Sequence, residues 1–158
     1  MSIITIKGII DEDFVNYKKP SMTIMFPKCS FKCGADICQN VDLINMPDIS
    51  IDVDQLCERY LDNPIPHSLC FQGLEPLDSY ENMILIIDTL RKKYKCDDDI
   101  VIYTGYSWKD IKDKVKELAT YKNIIIKYGG YIPDQKSHYD EVLGIKLASD
   151  NQYAERIS

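Results

Sequence analysis

The 158-residue chain has no apolar run approaching the roughly 18 residues of a membrane-spanning helix, so none is expected. It lacks an excess of basic residues: 19 lysines and arginines face 25 aspartates and glutamates, a net charge of -6. The lysines are also scattered rather than gathered into a stripe. That balance opposes the counterion-releasing attraction on which general nucleic-acid binding relies. Linkers, internal repeats and low-complexity blocks are missing too. The start, Met1-Ser2-Ile3-Ile4-Thr5-Ile6-Lys7, has neither a basic n-region nor a small-residue cleavage site and does not read as a signal peptide. With no export signal, the six cysteines are expected as reduced thiols in the cytoplasm rather than as a disulfide framework. Length predicts one domain over residues 1–158, large enough to bury roughly 68–70% of its unfolded surface without a metal.

What the chain does have is a dense group of thiols. Cys29, Cys33 and Cys38 follow the apolar run Met22-Thr23-Ile24-Met25-Phe26 with the spacing C-x3-C-x4-C, so a strand delivers them to a loop at its carboxyl end. Structural zinc takes four Cys or His ligands, and iron-sulfur electron carriers usually take four cysteines. This loop supplies three. Three thiolates on a four-iron cluster leave one iron open, and an open coordination position is where a substrate is held. The alternative is a zinc site completed by a distant residue, with His67 and His138 the two histidines available. Cys57 on an apolar helix face and Cys70 inside a strand read as core thiols, and Cys96 beside Asp97-Asp98-Asp99 as an exposed thiol next to a solvated turn.

Periodicity organises the remainder. Ser2 to Ile10 predicts an opening strand that Asp11-Glu12-Asp13 breaks, and Ser21 to Phe26 predicts a second. Val53, Leu56, Cys57, Tyr60 and Leu61 recur at helical spacing behind a cap at Asp52. Ser68 to Phe71 reads as a strand ending in Gly73-Leu74-Glu75-Pro76. Asp78-Ser79-Tyr80-Glu81 reads as a capping box for a helix lined by Tyr80, Met83, Ile84, Ile87 and Tyr94. Ile100 to Tyr103 is another strand, followed by Thr104-Gly105-Tyr106 and a helix capped by Ser107 with Trp108, Ile111, Val115 and Leu118 inward. Asn123 to Lys127 is the next strand, stopped by Gly129-Gly130, and Glu141 to Leu147 the last. Strands alternating with helices predict right-handed β-α-β units and an α/β fold with a small open parallel sheet and flanking helices. Ligands of such sheets bind outside the carboxyl ends of the strands. The cysteine loop, the Gly73 to Pro76 loop and the Tyr103 to Tyr106 loop are therefore expected to meet at one edge.

At these residues the chain resembles the small radical S-adenosylmethionine (SAM) proteins, most of all the activating proteins of anaerobic ribonucleoside-triphosphate reductases. The pieces that carry the likeness are the cysteine loop ending in Cys38-Gln39-Asn40, then Gln72-Gly73-Leu74-Glu75-Pro76, Tyr103-Thr104-Gly105-Tyr106, Gly129-Gly130-Tyr131 with Asp134 and Lys136, and Ser149-Asp150-Asn151-Gln152. Four departures accompany it. The family's C-x3-C-x2-C is two residues longer here, which adds at most about 7 Å of chain that Gly34 lets double back. Leu74 replaces the second glycine of Gly-Gly-Glu-Pro, which requires a negative φ. Tyr128 replaces an acidic residue, and an arginine-glycine pair before the tail motif is absent.

The resemblance implies a partial (β/α) barrel of the radical SAM type and a metal site of Cys29, Cys33 and Cys38 holding a 4Fe-4S cluster. Its fourth iron would chelate SAM, with Ile37 against the adenine, Gly73, Leu74, Glu75 and Pro76 at the amino group, Thr104 near the ribose and Asn151 lining or closing the site. No side chain is expected to be catalytic, because the cofactor carries the radical. The implied activity is an activase that makes a glycyl radical on an anaerobic ribonucleotide reductase, fed by a low-potential donor such as flavodoxin or ferredoxin, with no nucleic acid and no membrane involved. The alternatives are a small radical SAM enzyme acting on a metabolite or peptide, and a non-catalytic iron-sulfur or zinc-binding module.

Overall fold

A computed structural model describes residues 2–29 and 41–158 of the chain. In chain order the elements are β1 (Ile3–Ile6), β2 (Gly8–Asp13), β3 (Ser21–Met25), α1 (Val41–Ile44), β4 (Ile49–Asp52), α2 (Val53–Asp62) and β5 (Ser68–Gln72). There follow α3 (Tyr80–Asp88), prolonged by a π-helical turn over Thr89–Lys93, then β6 (Asp99–Tyr103), α4 (Lys112–Leu118), β7 (Ile124–Tyr128), β8 (His138–Asp140), β9 (Ile145–Leu147) and β10 (Tyr153–Arg156). Among the described residues no helix is long and apolar enough to cross a membrane.

Six strands form the central sheet in the order β10-β7-β6-β5-β3-β2. The inner four are parallel and in tight register, Ser21 to Met25 against Ser68 to Gln72, and Ile100 to Tyr103 against Ile124 to Lys127. Both edge strands run antiparallel to their neighbours. The inner strands read as unbroken apolar runs because both of their faces are covered. One face holds Met22, Ile24, Phe26, Leu69, Phe71, Ile100, Ile102, Ile124, Ile126 and Tyr128, packed with the inward residues of α2, α3 and α4. The other packs Cys70, Val101 and Ile125 against Tyr17, Leu143 and Leu147. Each fully buried Ile or Leu contributes about 1.5–3 kcal/mol to this arrangement.

The expected α2 forms as its spacing predicts. Val53, Leu56, Cys57 and Tyr60 are buried, and the Asp52 carboxylate accepts the Gln55 N–H as a cap. Cys57 and Cys70 are core thiols, and burial pushes both up to about 12.

Several elements differ from expectation. The opening strand is two strands: β1 pairs with β4 in a separate ribbon, while β2 continues through Asp13 along the sheet edge. Asp11-Glu12-Asp13 makes the pairing with β3 irregular between Ile10 and Asp13 but does not end the strand, and the Asp13 carboxylate is satisfied by the Thr23 hydroxyl, the Val15 N–H and the Asn16 amide. Asp99 is not part of a solvated turn. It is the buried first residue of β6, and Cys96 is half-buried against the core. Trp108 is 43% exposed, since the turn Trp108–Ile111 is a 3-10 turn that aims only Ile111 inward. The last predicted strand is broken by a turn at Gly144 (φ 72°), leaving β9 as the return strand of a short hairpin with β8. β7 extends one residue further, to Tyr128, and β10 was not expected at all.

Candidate functional site

Beyond β3 and β5 the backbone ladder continues. Phe26 N–H donates to the Gln72 carbonyl (3.1 Å), Leu74 N–H to the Phe26 carbonyl (2.6 Å) and Glu75 N–H to the Lys28 carbonyl (2.8 Å). Gly73, Leu74 and Glu75 are therefore laced to the segment that leads into the cysteine loop, directly beside exposed Cys29. Among described non-glycine residues, positive φ occurs at Lys95, Asn123 and Asp134 alone, so Leu74 has the negative φ its side chain requires.

Glu75 then ties this loop to the next. It caps the 3-10 turn Pro76–Ser79, with Oε2 accepting the Leu77 N–H at 3.0 Å, and its Oε1 accepts the Gly105 N–H at 2.7 Å. The Asp78 to Glu81 capping box does not form, because this carboxylate three residues earlier does the capping and Ser79 makes no cap bond. Burial raises the pKa of Glu75, opposed by the Gly105 and Leu77 N–H groups and the Thr104 hydroxyl. Thr104 is itself buried, and its Oγ1 accepts the Tyr106 N–H at 3.0 Å. Pro76 is buried at the first position of the turn, where its missing N–H costs nothing.

The linkage runs on to the tail. Thr104 N–H donates to the Lys127 carbonyl (2.9 Å) and Gly129 N–H to the Tyr106 carbonyl (3.1 Å). Gly129 takes φ +93°, and a Cβ there would lie 3.0 Å from both Nδ2 and the carbonyl oxygen of Asn151. Asn151 Nδ2 donates to the Gly130 carbonyl at 2.7 Å, and Gln152 Nε2 to that of Gly129 at 3.3 Å. Gln152 Oε1 closes the tail on itself by accepting the N–H groups of Ala148 and Ser149. Segments distant in sequence thus form one hydrogen-bonded series along the carboxyl edge, from Lys28 through Glu75, Gly105 and Gly129 to Asn151.

Of the expected site residues, Cys29, Gly73, Leu74, Glu75, Pro76, Thr104 and Asn151 lie along this edge. Cys33, Cys38 and Ile37 lie outside the described residues. Among the described residues no three of His, Cys, Asp and Glu are grouped to hold a metal. His67 bonds through its N–H to Pro20 at the amino end of β3 and β5. A five-residue strand, about 17 Å, therefore separates it from the Cys29 end, which removes it as a fellow ligand.

One residue at this edge escaped sequence reasoning. Lys127 is 6% exposed, and its ammonium donates to the Gly129 carbonyl at 2.7 Å. Its only signal was a lysine inside the apolar run Ile124-Ile125-Ile126-Lys127-Tyr128.

Residues 21–153 match the family described as the 4Fe-4S single cluster domain, a radical-SAM-associated family. The match starts at the first residue of β3 and takes in every loop of the edge. The chain belongs to this family and is an iron-sulfur protein with an α/β fold. No curated protein and no solved structure matches it.

Proposed function

We propose that the chain is a radical SAM activase, which makes a glycyl radical on an anaerobic ribonucleotide reductase. The observation that carries the reading is the hydrogen-bonded series just described, which draws the segments resembling the activases to the edge where β3 delivers Cys29. On this reading Cys29, Cys33 and Cys38 are the cluster ligands, and the sheet is the core of a partial barrel. Three thiolates suit a four-iron cluster with one position left for a substrate, and exposed Cys29 at the strand ends fits such a donor set. When bound, the cluster supplies the electron that splits the carbon-sulfur bond of SAM.

The chain's own residues hold and orient. Gly73 and Leu74 bring backbone groups to the ligand's amino group. Pro76 fixes the turn behind them, while Glu75 and Thr104 lock that loop to the ribose side. Ile37 excludes water at the adenine, and Asn151 holds Gly129 and Gly130 in place as one wall. On this reading the reacting glycine arrives on a docked protein at the open edge. The donor is a low-potential flavodoxin or ferredoxin, and the setting is the anaerobic cytoplasm.

The test is anaerobic reconstitution followed by iron and sulfide counts and a 5'-deoxyadenosine assay, with the reductase present and absent. Four irons per chain and nucleoside release that leaves a glycyl radical signal on the reductase are expected. Release with small metabolites or peptides instead would transfer the reading to another radical SAM substrate. A single zinc without nucleoside release would leave a non-catalytic module. Triple replacement of Cys29, Cys33 and Cys38 by alanine abolishes both cluster and release.

A further inference from the structure

The opening stretch of the chain changes partners once, at Lys7. Ahead of it β1 pairs with β4, Ile6 opposite Ile49, and after it β2 pairs with β3, Gly8 opposite Met25. β3 leads into the cysteine loop and β4 is the first strand after it, so the two halves of one stretch hold the two sides of that loop. Met25 stands four positions before Cys29, and Ile44 six positions past Cys38.

Lys7 makes both attachments itself. Its N–H donates to the Met25 carbonyl at 2.7 Å, on the entry side. Its ammonium reaches the exit side, donating to the carbonyls of Ile44 (3.4 Å) and Met46 and pairing with Asp48 Oδ1 at 3.0 Å. Ile44 ends α1, and the last carbonyls of a helix have no partner within it, so a lysine is a fitting donor there. The three donors of the ammonium meet three acceptors, which is what lets a lysine sit only 7% exposed. The entry side is held a second time, by the Leu74 and Glu75 N–H groups. The exit side is not: among the described residues, the hydrogen bonds and ion pairs that tie Ile44 to Asp48 to another part of the chain all come from Lys7.

We propose that Lys7 is a positioning residue for the cluster, clasping the two sides of the cysteine loop together and so setting the separation of the thiolates at its ends. The clasp rests on the reading of Cys29, Cys33 and Cys38 as the ligands. Fixing both ends of a loop removes arrangements otherwise open to it, and a metal site needs its ligands held by a supporting shell. The clasp also answers the spacing C-x3-C-x4-C, whose two added residues widen the range of positions the third cysteine can take.

The test compares the parent protein with Lys7→Met, Lys7→Arg and a control, Asp99→Asn, which weakens the fold at the amino end of β6. Each is reconstituted anaerobically, and three quantities are read: iron per chain, the chelator concentration that removes half of it, and the electron paramagnetic resonance spectrum of the reduced cluster. Groups that support ligands change metal affinity by roughly 10- to 100-fold. Lys7→Met should release iron at a chelator concentration lower by that factor and show an altered spectrum. Lys7→Arg should recover part of both, and Asp99→Asn should match the parent. Parent-like retention and spectrum in Lys7→Met overturn the clasp. So does an Asp99→Asn that fails to the same degree, because lost stability would then explain both. If Lys7→Met does not fold, Asp48→Asn takes its place, since it removes one partner of the ammonium at a carboxylate that is 57% exposed. It should retain iron less well than the parent, and parent-like retention and spectrum there overturn the clasp. A parent that takes up no cluster, or a cluster that survives triple replacement of the cysteines, overturns the reading of the ligands and the clasp with it.

Discussion

Glu75 and Gly105 stand 30 positions apart and are joined by a 2.7 Å bond from the Gly105 N–H to Oε1 of a carboxylate that is 2% exposed. The other oxygen holds the Leu77 N–H. Glu75→Ala removes both acceptors, and each buried donor left without one costs about 1–3 kcal/mol. The expected loss is about 2–5 kcal/mol by urea unfolding, with Glu75→Gln losing roughly half of that because one oxygen remains. Burial raises this pKa above the usual 4.5, so the folded state keeps its proton to higher pH than the unfolded state does. Stability contributed by Glu75 is fully present below 4.5 and falls as pH rises through the folded pKa. Glu75→Gln should flatten that limb. A loss under 1 kcal/mol in Glu75→Ala would mean that the loops hold together without it.

Gly129 and Gly130 are neighbours with opposite tolerances. At Gly129, φ +93° and a Cβ position 3.0 Å from Asn151 combine strain with a clash against backbone, so Gly129→Ala should cost about 2–4 kcal/mol. At Gly130 the nearest atom lies 3.8 Å from a built Cβ, an ordinary contact, and Gly130→Ala should change stability by no more than about 0.5 kcal/mol. Thermal unfolding of the pair checks this. Equal effects would show that Asn151 does not hold the Gly129 backbone.

Asp99 makes a prediction at the far end of the sheet, away from the site. Its buried carboxylate accepts from the Tyr17 hydroxyl (2.8 Å), Lys19 Nζ (2.9 Å) and Arg156 Nη2 (3.1 Å). Burial alone would raise its pKa, but the bonds from Lys19, Tyr17 and Arg156 outweigh it and hold the carboxyl below its usual 3.8. The stability it contributes is present above 3.8 and is lost as pH falls through the folded value. Lys19 and Arg156 are nearly half exposed, so solvent screens the pairs, and Asp99→Asn should cost about 1–3 kcal/mol at pH 7. Urea midpoints between pH 2 and 7 should show the acid limb in the parent protein and a shallower one in the variant, where Asp13, also held below its usual value, still contributes. Iron content after reconstitution should not change, since Asp99 opens β6 at its amino end.

How far these features could be read in advance depends on what each residue's neighbours do. The C-x3-C-x4-C spacing is local and chemical, so a metal-binding thiol loop was legible without coordinates, while the choice of iron-sulfur over zinc came from the resemblance of the downstream loops. α2 was legible because Asp52 and the spacing of Val53, Leu56, Cys57 and Tyr60 agree on one answer. β10 was not, because an edge strand that buries only Ala154 shows no apolar pattern. Asp99 looked like the end of an acidic turn, since its partners Tyr17, Lys19 and Arg156 come from distant parts of the chain. Glu75 was read as a ligand residue from its motif, and its service to two backbone N–H groups depends on a loop 30 residues away.

Lys127 carries a cost in stability at neutral pH. Burial pushes its pKa down from 10.5 to about 8, which Glu75 only partly offsets. Between those two values the unfolded chain binds a proton that the folded chain does not, so stability rises with pH from about 8 to 10.5. Below about 8 the full cost of the buried charge is present, about 3 kcal/mol at 1.36 kcal/mol per unit. Lys127→Met is therefore expected to stabilise the protein at pH 7 by about 1–3 kcal/mol and to remove the alkaline rise. Urea unfolding at pH 7, 9 and 10 reads both effects. A variant that is less stable at pH 7 would mean that the Gly129 carbonyl and the Tyr103 ring already match the ammonium well.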